Sequence, residues 1–148
     1  MSKEILDQFH ADIDEVARFA TTFALSMNKK PSEGGWTASQ CLAHLADAEI
    51  SLSLRLRMML TSDDYNFISW DEDAFAVIKE EREPKTSVDT FISLRNGNLE
   101  ILASLDSSKL ARTGVRLNGE KITIIDYVAM MSRHVRAHLE QAVKAAQG

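Results

Sequence analysis

DYVAMMSRHVRAHLEQAVKAA, from Asp126 to Ala146, reads as one uninterrupted helix and carries His134 and His138 four residues apart. Side chains at i and i+4 stack about one turn apart, roughly 6 Å along the axis, so two imidazoles here can reach a single ion. Tyr127, Met131, His134, His138 and Ala142 form one stripe, flanked by Val128, Val135, Leu139 and Val143. Both histidines therefore belong to a buried or half-buried face. Thr123, with Asp126 three residues on, suits the N-cap, where the helix dipole also favours the Asp. Two donors do not make a metal site, because a transition metal held by protein usually needs at least three. The rest of the chain has to supply another.

Three more long helices are expected. From Ser2 to about Asn28, Ile5, Phe9, Ile13, Val16, Phe23 and Met27 recur mostly at three- and four-residue intervals, and Lys29, Lys30 and Pro31 end the run. His10 lies beside this stripe and reads as an ordinary helix residue. In PSEGGWTASQCLAHLADAEISLSLRLRMML, Thr37 and Gln40 form a capping box, and Trp36 with Cys41 makes its hydrophobic staple. The helix starts at Ala38, and Leu42, Leu45, Ala48, Leu52, Leu56 and Met59 define its inward face. His44, in register with Cys41 and Ala48, points at or into the core. Cys41 reads as a small buried thiol, and Met58, Met59, Met130 and Met131 as core or pocket wall.

Thr61 to Thr86 sustains no long amphipathic pattern, although Ser69 with Glu72 can cap a short helix over 71–80 that the stretch from Glu80 to Pro84 breaks. A connector of about 25 residues lets the next helix run parallel to the one before it, so a crossover is expected here. Val88, Phe91, Ile92, Leu99, Leu102 and Leu105 mark the third long helix, starting after Thr86 or Ser87. Asn118-Gly119 then gives a two-residue hairpin signal, leading through a small ribbon or turn into the last helix.

The chain of 148 residues suits a single domain, 1–148, long enough to bury roughly two thirds of its unfolded surface. With 6 glycines and 2 prolines, it favours long helices over many turns. Four amphipathic helices bury their stripes most economically as an all-α four-helix bundle. A net charge of −5 excludes the basic surface that nucleic acid requires. No apolar run approaches the roughly 20 residues of a membrane span. One cysteine permits no internal disulfide, and MSKEILDQFH has neither an apolar h-region nor a cleavage site. The expected location is the cytoplasm.

His44, His134 and His138 thus lie on inward faces of two helices and can meet if they stand at one level of the bundle. Spacing alone does not decide this, and core histidines satisfied by hydrogen bonds explain the pattern equally well. The stretch GGWTASQCLAHLADAEISLSLRLR resembles the second helix of the DinB/YfiT-like family of metal-dependent enzymes, which opens after a Trp and carries a His followed by a nearby Asp. The HxxxH of the last helix resembles the same family's closing pair, and the layout matches over nearly the whole chain. Arg133 stands where the family often has an additional His.

This resemblance implies an up-down-down-up bundle, with the long crossover between helices two and three, and a divalent metal held by His44, His134 and His138. Three neutral imidazoles suit Zn or Ni foremost, with Mn after them, and leave a coordination position open. Water or a low-molecular-weight thiol activated there would make the protein a thiol S-transferase or a hydrolase-like enzyme acting on a small molecule. Asp47, one turn after His44, is the candidate catalytic group that orients a ligand or nucleophile, with a solvated carboxylate as its bland reading. Arg55 carries the same ambiguity. The alternative is a non-catalytic bundle, a homodimer in a stress or binding role, keeping a metal for structure or none at all.

Overall fold

Helix α1 spans Ser2–Thr22 in the computed structural model, which describes residues 2–148. It is shorter than expected: the chain tightens into a 3-10 turn over Ala24–Ser26, and Met27 packs into the core from outside the helix. Helix α2, Ala38–Thr61, starts on the expected capping box, with Thr37 accepting from the Gln40 N–H and the Gln40 side chain accepting from the Thr37 N–H. The crossover carries strand β1, Tyr65–Asn66, and helix α3, Glu72–Ala76. Asp71, not Ser69, caps α3, accepting from the Ala74 N–H, and the helix ends well before Glu80.

Helix α4, Pro84–Ala103, begins earlier than the apolar pattern indicates. Pro84 is the reason: its fixed φ suits the first helical turn and it gives up only an N–H that would have no helical partner. After the short helix α5, Ser107–Leu110, strands β2, Thr113–Val115, and β3, Lys121–Thr123, form the small hairpin. Its turn is a three-residue one, since the Arg116 N–H donates to the Glu120 carbonyl and Gly119 takes the left-handed conformation that closes such loops. β1 adds to β2 in parallel, pairing Tyr65 with Gly114, which the sequence pattern does not foreshadow. Helix α6 runs Ile124–Gln147 from the Thr123 cap.

Two apolar layers define the helix directions. One joins Val16 and Phe19 of α1, Cys41, Leu42 and Leu45 of α2, Val88 and Phe91 of α4, and Val135 and Ala142 of α6. The other joins Phe9, then Leu52, Leu56 and Met59, then Leu102, then Tyr127 and Val128. Along α2 and α4 the chain passes from the first layer to the second, and along α1 and α6 it passes back. The order is up-down-down-up, as the family resemblance implies and the long crossover allows.

Between these layers lies a charged network. Arg95, completely buried, donates to both carboxylate oxygens of Glu49 at 2.9 and 3.0 Å, to Asp12 at 2.9 Å and to the Phe9 carbonyl at 2.7 Å. Asn98 donates to Glu49 and Ser53, and Ser132 donates to Asp12. All four long helices meet in it.

Candidate metal centre

The depth of His44 follows from the α2 stripe, and the side chain is only 2 % exposed. Because α6 runs antiparallel beside α2, His134 and His138 reach the same level. One ring nitrogen from each of His44, His134 and His138 lies within 4.8 Å of the other two. His44 Nε2 and His134 Nε2 stand 3.1 Å apart. Two nitrogens each 2.0–2.1 Å from one tetrahedral ion would be about 3.3 Å apart, so the separation fits shared ligation. His138 Nδ1 is 2.9 Å from Gln141 Oε1. That outward hydrogen bond is the kind that fixes the tautomer of a ligating imidazole and leaves Nε2 bare. His44 Nδ1 and His134 Nδ1 are buried without a partner among the described residues.

Burial, then the neighbouring His138 and His134 and the Arg82 charge, push His44 down to about 3 from an ordinary 6.5. Burial, with His138 and Arg95, pushes His134 down to about 4. Both are neutral near pH 7 and can offer a lone pair without first losing a proton. In the metal-free protein the unfolded chain takes up these protons near pH 6.5 while the folded chain does not. Stability is therefore unaffected above that pH and falls as pH drops towards 3–4, by at most about 1.4 kcal/mol per pH unit per histidine. Urea unfolding of metal-free protein between about pH 7.5 and 4.5 should show this loss, and His134→Gln should flatten it. An identical slope in the variant would contradict the assignment.

Two tryptophans wall the cluster. Trp36 packs on His44 with ring centroids 5.0 Å apart and on His138 at 6.0 Å, while Trp70, from the crossover, stacks on His44 at 5.8 Å. Trp36 also lines a cleft of about 470 Å³ with Gln141, Glu140 and Lys144. The crossover is fastened over α2 by arginines. Arg82 holds both oxygens of Asp47, at 2.9 and 2.7 Å, and Arg55 donates to the Ile68 carbonyl at 3.0 Å and stacks on Phe67. Asp47 makes no hydrogen bond to the three histidines among the described residues. Cys41 is fully buried and burial pushes its thiol up to about 12, so no thiolate forms there at neutral pH. His10 is exposed on α1, away from the cluster.

A sequence profile of the DinB superfamily matches residues 6–142. The chain belongs to the DinB superfamily. A relative from Oceanobacillus iheyensis, named "Putative metal-dependent hydrolase OB0782", is 22% identical over 141 residues, 91% of this chain and 82% of the relative. Among solved structures, YfiT from Bacillus subtilis, described as having an unusual four-helix bundle topology, superposes with a TM-score of 0.90 at 18% identity, covering 99% of this chain and 86% of that one. The mycothiol-dependent maleylpyruvate isomerase superposes at 0.75 with 16% identity over 95% of this chain, which spans 60% of its length. These superpositions show the four-helix bundle fold. Among the described residues, no helix is long and apolar enough to cross a membrane. Trp70, Arg82 and Gln141 are not singled out by the sequence because they sit in the crossover or on a helix edge, where no periodicity marks them. The available signal was Trp70 at the end of TSDDYNFISW, with Tyr65, Phe67 and Ile68 before it, in a connector without a sustained helical period.

Proposed function

We propose that this DinB superfamily protein is a metal-dependent enzyme in which His44, His134 and His138 hold a divalent ion, Zn or Ni, and activate a thiol or water for attack on a small electrophile. The observation that carries the reading is the meeting of three imidazoles from two antiparallel helices. When bound, the metal would supply Lewis acidity and lower the pKa of the nucleophile. The chain's own groups do the rest. Gln141 holds His138 in one tautomer, and Trp36 and Trp70 keep bulk water from two sides of the cluster. Asp47 acts at one remove in this reading: its ion pair with Arg82 fixes the crossover that carries Trp70. The cleft beside Trp36 and Gln141 has a small-molecule size but is lined by none of the three histidines, so it adjoins the cluster rather than opening onto it. The names carried by its relatives, metal-dependent hydrolase and mycothiol-dependent isomerase, agree with a small-molecule substrate.

The 3.1 Å His44–His134 contact also supports a second reading, in which one proton bridges the two rings and the bundle is a non-catalytic binding protein. Activity separates the two. Metal-loaded protein should conjugate an electrophile with one of the low-molecular-weight thiols, or hydrolyse an ester or amide from a panel, and His138→Ala should abolish the reaction. Loaded protein inert towards every pair would favour the second reading.

A further inference from the structure

The three imidazoles contribute no negative charge, and the positive charges of Arg82 and Arg95 already act on His44 and His134. A dication placed among them has no negatively charged ligand unless an anion joins it. The carboxylates of Asp12, Glu49 and Asp47 are taken up by arginines. Glu72 is the exception. Its Oε2 lies 3.8 Å from His44 Nε2, and this side chain, 56% exposed, makes no hydrogen bond among the described residues. Asp71 caps α3, which leaves the Glu72 carboxylate free of the capping role that its spacing from Ser69 suggested.

The crossover holds Glu72 at this place by several independent contacts. Trp70 stacks on His44 and packs against Phe75 at 4.9 Å, and Arg82 donates to the Phe75 carbonyl while gripping Asp47. The 3.8 Å separation exceeds by about half an ångström the spacing of two donors on one tetrahedral ion. Glu72 also stands outside the group of donor atoms lying within 4.8 Å of one another, so a rotamer change of its exposed side chain, with three rotatable bonds, has to bring the carboxylate closer to the α6 pair as well as to His44.

We propose that Glu72 is a fourth protein donor, an oxygen ligand supplied from the crossover to the metal held by the three histidines. This rests on the metal-centre reading above. Such a centre admits a nucleophile either by becoming five-coordinate or by release of the carboxylate. Glu72 then couples the position of the crossover to the metal's affinity.

The test uses full-length metal-free protein titrated with Co2+ alone, reading the visible absorption of the bound ion and the dissociation constant by chelator competition. Glu72→Gln should weaken cobalt binding by about 10- to 100-fold and alter the absorption bands, while Asp73→Asn, one residue along the same exposed turn, should match the wild type. Glu72→Asp should recover part of the affinity. Wild-type affinity and an unchanged spectrum in Glu72→Gln, with binding abolished in His134→Ala, would overturn the Glu72 assignment alone. A wild-type protein that binds no cobalt would overturn the metal centre and this inference with it.

Discussion

Replacing Arg95 by Met should cost about 3–5 kcal/mol of folding stability, a large share of the roughly 5–15 kcal/mol that a domain has in total. Among the described residues, Arg95 is the one cation fully buried between two buried carboxylates, Asp12 at 0% and Glu49 at 1% exposure. Met fills a similar volume but leaves Glu49 without its cation and Asp12 with only the more distant, partly exposed Arg136 at 3.6 Å. The guanidinium also lies 3.5 Å above the Phe9 ring centroid and 4.8 Å from that of Phe91, so its plane is packed as well as bonded. Lys cannot reproduce the two-pronged grip on Glu49, and Arg95→Lys should recover only part of the loss. Chemical denaturation at pH 7 reads the effect. Adding Glu49→Gln and Asp12→Asn to Arg95→Met should restore much of the stability, because the unpaired charges are then gone. A single Arg95→Met variant within about 1 kcal/mol of wild type would show that the network contributes little.

Metal-loaded wild-type protein should melt well above its metal-free form, and His134→Ala or His138→Ala should remove that difference. An ion present at 100 times its dissociation constant adds about 2.7 kcal/mol. For a chain of this size each kcal/mol moves the midpoint by about 2–4 °C, which gives a shift of roughly 5–11 °C. The comparison is the metal-dependent increment, since truncating a half-buried imidazole also changes the metal-free protein by leaving space in the core. Elemental analysis of protein purified without chelator or His tag supplies the matching stoichiometry. Wild-type protein that stays metal-free and gains nothing from Zn, Ni or Mn would end the metal-centre reading.

Periodicity was enough to place His44 and the HxxxH pair, because each lies on a stripe whose other members are apolar and buried. The bundle order was legible for a different reason: a connector too long for a hairpin permits parallel neighbours, and α2 and α4 are indeed parallel. Arg95 shows where that reading stops. It continues the buried series Val88, Phe91, Arg95, Asn98, Leu102, and Asp12 and Glu49 interrupt the inward faces of α1 and α2 in the same way. A single helix offers no indication that its inward charge will be neutralised, since the partners lie on other helices. The α4 start was misplaced because apolar spacing ignores Pro84, whose preference is conformational. Glu72 and Trp70 lie in a segment whose position depends on the Arg82–Asp47 and Arg55–Ile68 contacts, and nothing local specifies those.

The parallel pairing of β1 with β2 bears on the order in which the molecule assembles. Tyr65 and Gly114 are 49 residues apart (114 − 65), and only two residue pairs join the strands, with one further bond from the Phe67 N–H to the Val115 carbonyl at 2.8 Å. So few bonds cannot offset the closure of so long a loop in an unfolded chain. They become favourable only after α4 has docked between them in sequence and brought the ends together. The segment carrying Trp70 and Glu72 is thus a late-folding part of the protein, and its amide protons should exchange with solvent earlier than those of the helices beneath it.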